Sequence, residues 1–107
     1  MQKIGLLGGL SWVSTAQYYQ RLNELMQTQL GSVASARITL ESLNRQDYVD
    51  AVIERKDEEA ACKIILGACQ SLEDAGSEFI VISCNDVHRF VPEIAPMLRI
   101  PFLHIAE

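Results

Sequence analysis

The 107-residue chain is long enough to bury one ordinary core and too short for two, because small domains keep a poor surface-to-volume ratio. Hydrophobic residues make up 49% and charged residues 21%, a balance that sets aside disordered, collagen-like and coiled-coil classes. A net charge of −5, with nine Lys and Arg forming no cluster, argues against nucleic acid as a partner, although local charge at a site can still hold a small anion.

The apolar run Lys3 to Leu7 ends at Gly8-Gly9 and reads as the first strand. Ser11 or Ser14 caps a helix that reaches Leu30, with Tyr18, Leu22, Leu25 and Met26 at helical spacing and Gly31 as its stop. Arg37 to Leu43 is a second strand, and Asn44-Arg45-Gln46-Asp47 follows as a polar loop. The region Tyr48 to Ala75 is helical with a break in the charged run Glu54 to Glu59, which is a solvated surface. Beyond the break, Ala61, Ile64, Ile65, Ala68, Cys69 and Leu72 define one apolar face that ends before Gly76.

Phe79-Ile80-Val81-Ile82 has the composition of a strand buried on both faces and is expected at the centre of the sheet. A short helix from Val91 to Leu98 tolerates Pro92 in its first turn, and Phe102 to Ile105 supplies a fourth strand. Strands alternating with helices define the expected fold class: α/β, three layers, a four-stranded mainly parallel sheet flanked by helices, in a single domain over residues 1–107. Glu107 closes the sequence directly after an apolar strand, which suggests a chain cut at a domain junction.

No segment approaches the ~20 apolar residues of a membrane span, and the N-terminus lacks the features of a secretion signal, so a cytoplasmic protein with no membrane partner is expected. Cys62, Cys69 and Cys84 are odd in number and match neither a zinc site nor a CxxC pair, so reduced thiols and no bound metal are expected. Cys62 and Cys69, seven apart on one helix face, read as core residues.

Cys84 is different, because it lies just past the carboxyl end of a buried strand, where open α/β sheets put their ligands. Followed by Asn85 and Asp86, its thiol is either activated by backbone donors or a buried structural group. His88, four residues on, either assists proton transfer or braces a loop, and His104 reads as structural. Gly8-Gly9-Leu10-Ser11 lies between a strand and a helix, so it serves either a tight turn or the approach of a carboxylate to backbone N–H groups.

Three segments together resemble the aspartate/glutamate racemase family: Ile4 to Thr15 with Tyr18-Tyr19, then Cys84-Asn85-Asp86-Val87-His88, then Ile100 to Ala106. They are similar to its G-L-L-G-G-[ML]-S-W-x-S-T opening, its C-N-T-x-H motif and its I-P-x-L-H-I-A-D strand, in that order. The likeness spans this chain and the first half of a family member. It implies one half of a two-domain racemase that needs no pyridoxal phosphate, with the active site between the domains and one thiol from each. Cys84 matches the first thiol; the second, with a substrate-contacting lysine, would lie in the other half.

By the same likeness Leu10 (through its backbone), Ser11, Asn85 and Asp86 line the substrate site, and Asn44 and Arg45 meet a side-chain carboxylate. Asp86 departs from the family's threonine and puts a second negative charge beside the thiol. Either the substrate differs, or Asp86 pairs with Arg89 or Arg45, or activity is lost. The expected function is racemisation of a small amino acid or dicarboxylate by two-thiol proton transfer, by a fragment of a longer enzyme or by a homodimer that brings two copies of Cys84 to one cleft. The alternative is a non-catalytic domain of the same fold that binds a small acid.

Overall fold

The computed structural model describes residues 1–104, in which β1 (Lys3–Gly8), α1 (Trp12–Leu30), β2 (Arg37–Ser42), α2 (Arg45–Val49), α3 (Glu58–Asp74), β3 (Phe79–Ile82) and α4 (Val91–Ile94) follow one another. A π-helical segment, Asp50–Glu54, continues α2, and 3-10 turns occupy Asn85–Phe90 and Ala95–Met97.

β1 pairs in parallel with β2 on one side and β3 on the other, so β1 is the centre of the order β2-β1-β3, not β3 as its composition suggested. Ile4 through Gly8 are all buried, whereas β2 alternates between exposed and half-buried positions as an edge strand does. The sheet has three strands among the described residues, not four. Near Phe102 there is a single parallel bridge to Ile80, closed by Ile80 N–H to Pro101 O at 2.9 Å and Leu103 N–H to Ile80 O at 2.8 Å. Pro101 has no N–H to extend that ladder, and Ile105 lies outside the described residues.

Side-chain alternation along the strands divides the core between two faces. Ile4, Leu6 and Val81 pack with Tyr18 and Leu22 of α1. Leu7, Ile80 and Ile82 pack with Ala61, Ile65, Ala68, Cys69 and Leu72 of α3, the apolar face expected from its spacing. Helices on both sides of a parallel sheet make the three layers. Each fully buried aliphatic chain, such as Leu6, Ile65 or Leu72, contributes about 1.5–3 kcal/mol relative to exposure.

Ser11 is the N-cap of α1, accepting from Ser14 N–H at 3.4 Å, and Gly31 closes the helix with φ of 109°. Asn44-Arg45-Gln46-Asp47 is not a loop: Asn44 Oδ1 accepts from Gln46 N–H at 2.9 Å and caps a helix that begins at Arg45. A run of short polar residues suits a helix start as well as it suits a loop, because the cap itself is polar. The helical region breaks at Arg55–Asp57 as the charged run suggested, with Lys56 at φ of 50° and Asp57 capping α3 through Ala60 N–H. The expected helix from Val91 to Leu98 is shorter, with α4 passing into the 3-10 turn at Ala95–Met97 beside Pro96. Among the described residues no helix is long and apolar enough to cross a membrane.

Candidate active site at the carboxyl edge of the sheet

Parallel pairing sends β1 and β3 to the same edge of the sheet, with Leu7 beside Ile82. Ser83 N–H extends the ladder by bonding to Leu7 O at 3.0 Å. The glycine turn after Gly8 and the cysteine after Ser83 therefore start from neighbouring strand ends, which lie about 4.8 Å apart across the sheet.

Two glycines let the first turn fit. Gly9 has φ of 94°, and a Cβ there would strike the backbone of Leu43 at the end of β2; a Cβ on Gly8 would strike the side chain of Thr15. A left-handed residue other than glycine costs roughly 1–2 kcal/mol before any collision is counted. Leu43 N–H in turn bonds to Gly8 O at 2.8 Å, so the turn is clamped from β2 as well.

A buried hydroxyl cluster joins the turn to β3. Thr15 Oγ1 accepts from Gly9 N–H at 3.0 Å and lies 3.0 Å from Ser11 O and 2.9 Å from Ser83 Oγ. Ser83 Oγ also reaches Leu7 O at 3.2 Å, and Ser14 Oγ donates to Ser83 O at 2.9 Å. Thr15 thus occupies the Gly9 N–H, and that donor is not free for a ligand.

Cys84 follows with extended backbone, φ −132° and ψ 119°, and is half-buried at the margin of the α3-side core. Cys62 and Cys69 are buried, as expected. Burial pushes the Cys69 thiol up to about 12. The Cys62 thiol is raised by burial and by the carboxylates of Glu93 and Glu59. Both hold their protons at neutral pH, which leaves Cys84 as the thiol with access to solvent.

Beyond Cys84 the side chains are charged. Asp86 Oδ2 accepts from Tyr48 Oη at 2.8 Å, and its Oδ1 lies 3.5 Å from Arg89 Nε. Arg89 also donates from Nη2 to Tyr48 Oη at 3.2 Å and from Nη1 to both oxygens of Glu58 at 2.7 and 2.8 Å. Of the two cations considered for Asp86, Arg89 is the partner. The Glu58 carboxylate, then the Tyr48 hydroxyl, raise the pKa of the Arg89 guanidinium. Burial raises the Tyr48 phenol, with Arg89 opposing and Asp86 adding to the effect. The charged run is exposed, but Glu58 within it anchors this network.

Among the remaining candidates, Leu10 is buried, Ser11 and Asn85 are exposed, and Arg45 is exposed at the start of α2 with no part in the Asp86 network. His88 and His104 meet edge to face, ring centroids 4.7 Å apart. Burial, then the neighbouring His104, lower the pKa of His88, while a hydrogen bond to the Ile82 carbonyl works the other way. Among the described residues no three His, Cys, Asp or Glu side chains gather where a metal could be held.

Ser83 and Tyr48 have no place in the sequence reading of this edge, whereas Ser14 enters it as a cap candidate, Thr15 within the opening motif and Arg89 as a candidate partner of Asp86. Ser83 is the neighbour of Cys84, and Thr15 stands one helical turn after Ser11, so those two left a local trace. Tyr48 is 38 residues from Asp86 and 41 from Arg89 and left none.

A doubly covered parallel sheet with a glycine turn and a half-exposed thiol at adjoining strand ends has the frame on which open α/β sheets hold small ligands at their carboxyl edge. The chain belongs to the Asp/Glu/Hydantoin racemase family, which its residues 7–107 match. It is 29% identical to the broad specificity amino-acid racemase RacX of Bacillus subtilis (strain 168) across 97% of this chain and 46% of that protein. A crystal structure of a proposed Asp/Glu racemase from Yersinia pestis superposes with a TM-score of 0.90 at 36% identity, covering 99% of this chain and 46% of that one. An aspartate racemase homologue from Pyrococcus horikoshii OT3 gives 0.87 at 25% identity, covering 97% and 45%. The chain thus spans about half the length of these relatives.

Proposed function

We propose that this chain is the thiol-bearing half of a cofactor-independent amino-acid racemase, with Cys84 as one of two proton-transfer groups. The observation that carries the reading is the half-exposed thiol at the end of β3, beside the glycine turn, in a chain whose other two thiols are buried. Family membership supports it, and so does the name of the Bacillus relative.

Racemisation removes the α-proton from one face of the substrate and returns a proton to the other, so two groups must flank the α-carbon. Cys84 as thiolate takes the proton from one enantiomer; as thiol it delivers one to the planar intermediate formed from the other. N–H groups of Leu10 and Ser11, with the Asn85 amide, hold the α-carboxylate and stabilise the charge that builds on it. The opposing thiol comes from the other half of a longer enzyme or from a second copy of this chain in a homodimer. A cytoplasmic setting keeps both thiols reduced. Aspartate and glutamate are the substrates that the family name suggests, and Arg45 is the cation that a side-chain carboxylate would meet.

Replacement of Cys84 by serine tests the assignment. Exchange of the α-proton of amino acids for deuterium, followed by NMR in D2O, is expected to fall by at least about 100-fold, the scale of a lost acid–base group. An unchanged rate removes Cys84 from the mechanism. Saturable binding of a small acid with no exchange in the unaltered protein would instead favour a non-catalytic binding domain.

A further inference from the structure

We infer that Asp86 sets the charge class of the substrate: the site takes amino acids whose side chain ends in a hydrogen-bond donor, an ammonium foremost, in preference to a second carboxylate. This rests on the reading that the substrate meets Cys84 and goes on to name which substrate.

Proximity comes first. Asp86 is two residues beyond Cys84 with no cis peptide between them, so their Cα atoms are at most about 7.6 Å apart, two spans of 3.8 Å. A substrate whose α-carbon touches the Cys84 sulfur therefore has its side chain within a few bonds' reach of residue 86.

The charge at that place is negative. Arg89 is the cation paired with Asp86, and its shorter contacts, 2.7 and 2.8 Å, go to Glu58. One guanidinium shared between two carboxylates leaves an excess negative charge. Asp86 is also held in place, since the buried Tyr48 donates its hydroxyl to Oδ2. About 60% of the Asp86 side chain remains exposed, so its oxygens have acceptor positions left for a ligand. Arg45 offers the opposing cation, but its side chain is exposed, so water and salt screen it freely.

Charged thiol reagents read this field directly. Cys84 is modified with a cationic (trimethylammonium-ethyl) and an anionic (sulfonatoethyl) methanethiosulfonate, and the rates are compared with those of the same cysteine in the denatured chain by peptide mass spectrometry. The folded protein is expected to favour the cation by about tenfold more than the denatured chain does, a shift that one unit charge at this range supplies. Asp86→Asn, which keeps an acceptor for Tyr48, is expected to remove most of that preference, with folding checked by circular dichroism. Equal preference in folded and denatured chains, or a preference untouched by Asp86→Asn, overturns the inference. Failure of either reagent to reach Cys84 in the folded protein sinks the racemase reading itself.

The substrate claim has its own arm. L-Lysine is expected to slow the modification of Cys84 by neutral iodoacetamide at about one-tenth of the concentration that L-aspartate needs, and Asp86→Thr is expected to erase that ratio. Better protection by aspartate overturns the claim. Protection by neither overturns both the claim and the racemase reading, even where the reagent preference holds.

Discussion

On one side of Cys84, Ser83 is buried and its neighbours are hydroxyls that bond to backbone; on the other, Asp86 is exposed and its neighbours are a phenol, a guanidinium and a second carboxylate. The buried hydroxyls have no water to fall back on, so each lost partner leaves an unsatisfied group in the interior. The charged groups lie in solvent, where loss of one partner exposes the other to water at little cost. Position is therefore set from the Ser83 side and charge from the Asp86 side.

Thr15→Val should have the larger effect. It keeps the volume of the side chain but leaves Gly9 N–H and Ser83 Oγ short of a partner, and it is expected to lower unfolding free energy by roughly 1–3 kcal/mol in urea titrations. Thr15→Ser, which keeps the hydroxyl, should recover most of that loss. A value for Thr15→Val near zero would break the contrast.

Glu58→Gln is expected to cost less, below about 1 kcal/mol, because Glu58 and Arg89 are both partly exposed and solvent screens their attraction. The same titration run at high salt sharpens the point. The Glu58 effect should shrink there, and the Thr15 effect should not.

The smallest effect is a dependence on pH. His88 sits below the ordinary histidine value of 6.5, so the unfolded chain binds the proton more readily than the folded one. Stability from the neutral ring is thus fully present above pH 6.5 and is lost as pH falls through that value toward the lower folded one. A modest drop in Tm between pH 7.5 and 5.5 is expected, and His88→Gln should flatten it. An unchanged slope in that variant would assign the drop to other groups.

Much of this edge could be read from local chemistry. Gly8-Gly9 announced the turn, Ser11 or Ser14 the cap, Phe79 to Ile82 the buried strand, and Cys84 the residue just past that strand's end. Each depends on a few neighbouring residues, which is the range over which sequence pattern is informative. Strand order is a different matter: the composition of β3 spoke for burial but could not say that β1 would lie between β2 and β3. Asn44 was read as loop because capping residues and loop residues are chemically alike. Within the Tyr48–Asp86–Arg89–Glu58 network only the pairing of Asp86 with Arg89, three residues on, was legible; Tyr48 and Glu58 join it only when α2, α3 and the turn after Cys84 meet in three dimensions.

The Asp86 side chain is largely exposed, tied to the fold through the Tyr48 hydroxyl and Arg89. A substitution there changes the charge beside Cys84 while the scaffold beneath goes on folding as before. On the proposed reading, substrate charge is then retuned at one surface residue, with the glycine turn and its hydroxyl braces left untouched.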